Sequence, residues 1–494
     1  MQGQEPAVAT LLAPADPPGG PSEHPPAARR PVIIRVLPLA GVAALLGTLL
    51  HLGVQPISDP DTWWHLRAGG YLAQTWRFSG PEPWNRFASK PWVLHEWLPE
   101  LVANRAYVLG GLPAVAWLFC AAGVVLLLAV YLTARRFSEP LAAVVATALG
   151  LAGMGASLSP RPQVVSFILS VVFVGAWLLS ARDLRVRWWL LPLTWVWACA
   201  HGMWFNAVII GGAALAGIML DRRASRGQIV RMAAVPTGGL LLAALTPVGP
   251  RLLLAPLAVS GYTRYVTEWA PPSIRDPEVA VTLGMVAVVA LIWLREARRP
   301  AWTHVMILLV ATVWALAYAR TVALGAAMAA PVFAAAVQSL LPGEPGRVGR
   351  GERRFLLLSA GLCLAAGALV VPSTARAPAK VPSGLDHALN ALLAGAVVLN
   401  DYQLGGWLLW AHPQVTPVID GRAEVFSVRH VDQYVAATAA RGRWRDFVRA
   451  SGAQDALLSD GSTLATALQE RMGWRLVGAD GGYVLLRAPA ARKL

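Results

Sequence analysis

The stretch Ser58-Asp59-Pro60-Asp61-Thr62-Trp63-Trp64-His65-Leu66-Arg67 follows the first long apolar run, and the rest of the chain is read from it. Asp59-Pro60 reads as a helix start, with Asp59 as the cap and proline at the first helical position, where its missing N–H costs nothing. On that helix Asp61 and His65 stand four apart and project from one face. Trp63 and Trp64 are rings suited to a membrane–water boundary. Two readings fit. In one, the acids, His65 and Arg67 form the polar mouth of a catalytic pocket at the outer surface of a membrane. In the other, the stretch is a capped interfacial helix anchored by its tryptophans.

Composition frames that choice. Of 494 residues, 56% are hydrophobic and only 14% charged, whereas about a quarter are charged in soluble domains. The chain therefore reads as a multi-pass membrane protein. A net charge of +15 would suit nucleic acid. Most Lys and Arg, however, lie in short loops between apolar runs, as cytoplasmic loops do, which argues against a nucleic-acid partner. Cys120, Cys199 and Cys363 all fall inside apolar runs, without disulfide or metal spacing. No Walker, Rossmann or zinc motif occurs.

Working outward, residues 1–32 are rich in Pro, Ala and Gly and read as a disordered cytoplasmic tail. Arg29, Arg30 and Arg35 then precede a run at 36–54, which reads as a signal-anchor with its N-terminus in the cytoplasm. The outer loop, 55–111, carries helical patterns at 61–76 and 95–108, expected to lie along the membrane surface. Further apolar runs follow at 112–133, 141–156, 164–180, 188–200, 203–220, 229–245, 279–294, 305–319, 322–341 and 355–371. They bring the expected spans to about eleven, within a transmembrane domain of 33–372.

The connections sort into two sets. Those at 135–136, 182–187, 221–231, 295–299 and 343–354 are basic and fall on the cytoplasmic side. The outer set comprises the Asp59 loop and 159–163, 201–202, 246–277 and 318–320. It holds the isolated polar residues that a solvated loop would not need. An odd number of spans puts 382–494 outside as well. Strands expected at 396–399, 406–410, 415–419 and 456–459, helices at 429–440, 444–451 and 463–471, and a strand pair across 475–487 make it a small α/β domain.

Candidate site residues fall in the outer set. His95 and Glu96 could join Asp59, Asp61 and His65 around a substrate or a divalent cation, since imidazole and carboxylate suit such ions. Glu100 reads rather as the polar tip of an interfacial helix. Arg161, between two prolines, and Arg320, where an apolar run ends, have the planar fork that suits a phosphate or carboxylate. A buried pair with an acid of the outer loop suits Arg161 equally. His201 either lines a cavity or marks a tight turn. Glu268 is a candidate acceptor or cation contact, and Asp276 a solvated loop residue. Asn400-Asp401-Tyr402 and Asp420-Gly421-Arg422 each follow a strand, where Asp and Gly usually make turns, though Asp420 and Arg422 could face the membrane pocket.

Taken together, Asp59 to Arg67, His95-Glu96-Trp97-Leu98, Arg161-Pro162-Gln163, His201-Gly202 and the trailing Asn400-Asp401-Tyr402, Gly405-Gly406 and Asp420-Gly421-Arg422 resemble a group of bacterial polytopic membrane proteins. That group is related to glycosyltransferases of the GT-C fold. The resemblance runs from about Pro56 to Arg487. It implies a GT-C-like helical protein of the bacterial inner membrane that takes sugar from a polyprenyl-phosphate donor, with catalytic acids in the first extracytoplasmic loop. Asp59 and Asp61 match that acidic motif. One would act as general base, Asp61 preferred, or the pair would hold Mg or Mn. The phosphate would sit on Arg320, on Arg161 or on that cation. The acids are separated by Pro60, and no second motif fixes the donor. Two other readings stand beside this one: a carrier or lipid translocase, and a non-catalytic cell-envelope assembly protein.

Overall fold

The computed structural model describes residues 32–254, 262, 265, 267–297, 299–342 and 345–489. The expected disordered tail, save its last residue, and part of the 246–277 loop lie outside the described residues.

Helix α1 (Val32–Gly53) leads into α2 (Pro60–Thr75). Helix α3 (Trp97–Ala134) follows a two-residue antiparallel pairing of β1 (Ser79–Gly80) with β2 (Trp92–Val93). The bundle continues through α4 (Pro140–Met154), α5 (Gln163–Asp183), α6 (Leu190–Ala200), α7 (Asn206–Leu220) and α8 (Arg226–Ala243). It closes with α9 (Pro277–Arg295), α10 (Trp302–Ala317), α11 (Val322–Ser339) and α12 (Arg350–Thr374). Among the described residues, eight helices are long and apolar enough to cross a membrane: α1, α3, α4, α5, α7, α9, α11 and α12. Helices α6 and α10 are shorter apolar ones, and α8 carries Arg226 and Arg231. All lie on the apolar runs read from the sequence.

Helix α11 is the most buried, and its alanines and glycine explain why. A Cβ at Gly325 would stand 2.6 Å from the Ala311 carbonyl oxygen, so the missing side chain lets α10 and α11 touch backbone to backbone. Helix α3 joins two chemically different ends of the bundle. It starts beside Glu96 and Glu100. It finishes at Arg135, whose Nε donates to Glu352 at 2.7 Å while the Tyr131 hydroxyl donates to the same carboxylate at 2.8 Å. Arg182 lies 4.6 Å over the Phe137 ring near that end. Basic connections thus meet at one end of α3, and the polar connections of the outer set meet at the other.

The C-terminal residues form a five-stranded sheet in the order β4-β3-β5-β7-β6. Strands β3 (Val397–Asn400), β4 (Thr416–Pro417) and β5 (Asp455–Ser459) are parallel, and β6 (Arg475–Asp480) and β7 (Tyr483–Arg487) close it antiparallel. Loops leaving the carboxyl ends of β3 and β4, the ends where ligand-facing loops gather in such sheets, lie against α2. Close approach is built in. A Cβ on Gly406 would stand 2.7 Å from the Pro60 carbonyl, and one on Gly69 would stand 2.0 Å from the Glu100 carbonyl. Ala68, Leu72, Trp92 and Leu94 of the outer loop share one apolar core with Val397, Leu399, Val418 and Phe426.

Three expectations change. Residues 406–410 form part of a helix, Gly405–Ala411, rather than a strand. Leu404, Trp407 and Leu408 are spaced to bury one helical face, and a short apolar run does not distinguish the two periods. The surface helix at 95–108 is not separate from the following span. Both belong to α3, which breaks at Gly110 and Gly111, where φ is −152° and 66°. Trp63 and Trp64 are not boundary anchors. The C-terminal domain covers both, leaving Trp63 1% and Trp64 9% exposed, with the Trp63 ring tilted against Trp410 at 5.0 Å.

Candidate active site

The helix start at Asp59 forms as its residues dictate. The Asp59 Oδ1 accepts the Asp61 N–H at 2.9 Å, and Pro60 occupies the first helical position. This leaves Asp59 Oδ2 facing the loop before α5, where Arg161 Nε donates to it at 2.7 Å. Arg161 Nη1 also reaches Asp61 Oδ2 at 3.1 Å and Glu268 Oε1 at 2.8 Å. Glu268 Oε2 in turn lies 3.3 Å from Arg320 Nη1. Five predicted residues therefore form one ionic chain, three carboxylates against two guanidiniums. Of the two arginines, Arg161 is spent on three acids. Among the described residues Arg320 has one ionic partner, lies 5.8 Å over the Trp269 ring, and has a more exposed side chain, 28% against 13%.

Burial, the largest influence on Asp61, pushes its carboxyl above the ordinary value; Arg161 pulls against the rise and Asp59 adds to it. Its Oδ1 accepts the Trp64 indole N–H at 3.1 Å. The Asp420-Gly421-Arg422 loop lies directly over that oxygen, since a Cβ on Gly421 would stand 2.5 Å from it. Tyr402, from the neighbouring loop, donates its hydroxyl to the Gly421 carbonyl at 3.2 Å. The roof of the acidic cluster is therefore supplied by the C-terminal domain.

His65, His95, Glu96 and His201 make a second, adjoining cluster. Both oxygens of Glu96 face imidazoles: His65 Nε2 at 3.8 Å, His95 Nε2 at 3.5 Å and His201 Nε2 at 3.4 Å. Burial pushes the Glu96 carboxyl up, but the three histidines outweigh it and hold the group well below its ordinary value. His65 Nδ1 pairs with Glu100 at 2.9 Å. His201 Nδ1 accepts the Met203 N–H at 3.3 Å and contacts the Ser166 hydroxyl at 2.7 Å, so the ring proton resides on Nε2. His201 and Arg320 line one narrow crevice.

For His95, burial lowers the imidazole pKa, but the hydrogen bond and charge of Glu96 dominate and raise it to about 9. With an unfolded value near 6.5, this contributes stability that is complete below about pH 6.5 and is lost as pH rises through about 9. The melting temperature is expected to fall across that window. His95→Gln should flatten the fall, and an unchanged slope in the variant would assign it to another group.

The remaining predicted residues lie apart. Arg422 is fully buried, with Nε and Nη2 each 2.9 Å from Asp420 and Nη1 2.7 Å from Glu82 Oε1. Its guanidinium lies over both the Trp84 and Trp92 rings, at 4.7 and 5.2 Å. Asn85 donates to the Pro417 carbonyl and to Asp420, at 3.0 and 3.2 Å. Asp420 and Arg422 thus form a closed clamp between the C-terminal domain and the outer loop. Arg67 lies near that clamp rather than with Asp61. Glu100, Ser166, Glu82 and Tyr402 went unselected as site residues. Glu100 carried a signal in its i,i+4 spacing from Glu96, and Tyr402 in the Asn400-Asp401-Tyr402 motif; Ser166 and Glu82 carried none.

The residues expected to hold a divalent cation do not fit one as arranged. The carboxylates of Asp59, Asp61 and Glu268 converge on the Arg161 guanidinium, while the Glu96 oxygens face the imidazoles of His65, His95 and His201 and His65 Nδ1 is paired with Glu100. Among the described residues, no group of three or more His, Cys, Asp or Glu is placed to hold a metal ion.

No protein-family model and no curated protein matches the chain. Among solved structures it is similar to the archaeal oligosaccharyltransferase AglB from Archaeoglobus fulgidus in complex with an inhibitory peptide and a dolichol-phosphate. That match has a TM-score of 0.54 and 11% identity over 92% of this chain and 74% of that one. The apo form of the Archaeoglobus fulgidus oligosaccharyltransferase gives 0.53 and 11% over 86% and 70%. ArnT from Cupriavidus metallidurans, bound to undecaprenyl phosphate, gives 0.52 and 13% over 93% and 99%. At such identities the likeness establishes the fold, and the fold is that of the GT-C membrane proteins.

Proposed function

We propose that the chain is a membrane-embedded glycosyltransferase that moves a sugar from a polyprenyl-phosphate donor to an extracytoplasmic acceptor. The observation that carries this reading is the ionic chain from Asp59 and Asp61 through Arg161 and Glu268 to Arg320, roofed by Gly421. It puts a carboxylate of raised pKa near a guanidinium that has a single ionic partner among the described residues, within a fold shared with proteins solved with dolichol-phosphate and undecaprenyl phosphate bound.

In this reading Arg320 holds the donor phosphate, and Asp61 accepts the proton of an acceptor hydroxyl. The acceptor oxygen forms a bond to the anomeric carbon as the bond from that carbon to the phosphate oxygen breaks. Polyprenyl phosphate leaves with the electron pair, and Arg320 offsets the charge that develops on it. Donors fixed in advance where charge appears contribute most in such a site. Arg161 keeps Asp61 in place and prevents three neighbouring carboxylates from repelling one another. The same two groups suit the chemistry: a base is most effective when its pKa approaches the working pH, and a guanidinium stays charged throughout.

The test is consumption of donor. Purified protein in proteoliposomes, given a polyprenyl-phosphate-linked radiolabelled sugar and envelope glycolipids, is expected to release free polyprenyl phosphate and label an acceptor. Recovery of intact donor, or movement of donor across the bilayer without a new glycosidic bond, would overturn the reading in favour of a translocase.

A further inference from the structure

Helix α2 has a second working face. Asp61 and His65 point one way. Gly70 lies nine residues beyond Asp61, about two and a half turns, and so faces the opposite side with Arg67 and Gln74, while Tyr71 stands at the edge of that face. That opposite face borders an open cleft of about 660 Å³, lined also by Trp84, by Asn104 and Tyr107 of α3, and by Trp410 of the C-terminal domain. Its size and its place between domains suit a small-molecule site.

The lining is specific in two ways. First, it is aromatic. Tyr71 and Trp84 meet edge to face at 5.7 Å, as do Tyr107 and Trp410 at 5.6 Å, which holds the rings rigid. Second, it carries a guanidinium that has no ion-pair partner among the described residues. Arg67 is half-buried with its guanidinium 5.6 Å over Trp84, and among the described residues it makes no hydrogen bond or ion pair. The nearby Glu82 attracts it across space, but Glu82 and Asp420 direct their oxygens at Arg422, which leaves the Arg67 N–H groups free for a ligand. The Asn104 amide is fixed by donating to the Leu66 carbonyl at 3.2 Å, and a Cβ on Gly70 would stand 3.1 Å from that nitrogen, so glycine keeps the floor open.

We propose that this cavity binds an acidic saccharide unit, its ring against the aromatic walls and its carboxylate on Arg67. The guanidinium and the Gln74 amide are ill suited to an acyl chain, whose burial would leave them without partners, and Asn104, already donating to Leu66, keeps its amide oxygen for a ligand hydroxyl. They suit hydroxyls and a carboxylate, to which arginine donates through two parallel N–H groups. The role, though not the binding, rests on the glycosyltransferase reading. One helix diameter, about 10 Å, separates the cavity from Asp61, so it would hold a distal unit of an extended acceptor glycan.

The experiment is titration of full-length protein, in nanodiscs of zwitterionic lipid, with a glucuronate-containing tetrasaccharide and with its carboxyl methyl ester. Saturable binding is expected to the acid, at least tenfold weaker for the ester and for Arg67→Gln. Tyr107→Ala should also weaken it, Arg67→Lys should restore part of it, and Asp61→Asn should leave it unchanged. Equal affinity for acid and ester, no effect of Arg67→Gln, or no binding of the acid would overturn the proposal. Competition by anionic phospholipid in the nanodisc, with the saccharide failing to displace it, would overturn it in favour of a lipid headgroup. Absent transfer with intact acid binding would sink the glycosyltransferase reading and leave this site standing.

Discussion

Asp61→Asn is expected to reduce sugar transfer by about 10²–10⁴-fold, the contribution of a positioned proton acceptor, while expression and melting temperature stay close to the parent protein. The amide keeps the acceptor oxygen for the Trp64 indole and nearly the same volume beneath Gly421. It removes only the capacity to take a proton and one negative charge toward Arg161. In the parent protein the acid limb of the pH–rate profile should lie above the ordinary carboxylate range, because burial raises this group. Activity then rises with pH as Asp61 loses its proton. Asp59→Asn should cost less in rate and more in stability, since Asp59 both caps α2 and anchors Arg161 Nε. Full transfer by Asp61→Asn at parental expression would remove Asp61 from the mechanism.

The second large effect concerns stability. Arg422→Met should cost about 3–5 kcal/mol, the usual consequence of removing one member of a buried ion pair and leaving the other charged. Here two carboxylates are stranded: side chains of Asp420 and Glu82 are 0% and 2% exposed. The clamp joins the outer loop to the C-terminal domain, so the loss should appear as undocking. The expected readouts are a melting temperature lower by about ten degrees and faster trypsin cleavage near the 375–382 connection. Neutralising both partners, with Asp420→Asn and Glu82→Gln in the Arg422→Met background, should recover much of the loss, because a buried triad replaced as a unit no longer holds an unpaired charge. A parental melting temperature for Arg422→Met alone would refute the clamp.

Local signals in the sequence carried furthest. The Asp59-Pro60 helix start depends on two adjacent residues and forms as written. The apolar runs depend on composition alone, and each became a helix. The basic and polar connections, separable by charge, gather at different ends of α3. What stayed hidden depends on partners far away in the chain. Arg161 was open to pairing with an outer-loop acid, yet its hold on both Asp59 and Asp61 crosses a hundred positions and cannot be read from spacing. The burial of Trp63 and Trp64 follows from the C-terminal domain covering α2, which no local pattern announces. Arg422 illustrates the same point. Its neighbours Asp420 and Gly421 read as a turn, and the residue that completes the clamp, Glu82, lies in a Pro-rich turn more than three hundred positions earlier.

The whole account requires that α2 and the C-terminal domain share one non-cytoplasmic chamber. Labelling of single cysteines in intact cells with a membrane-impermeant maleimide tests this, in a background lacking Cys120, Cys199 and Cys363. Gln74→Cys and Gln403→Cys, both at exposed positions, are expected to label without permeabilisation, and Arg223→Cys only after it. Labelling of Gln74→Cys and Gln403→Cys from opposite faces, or of either only after permeabilisation, would contradict it.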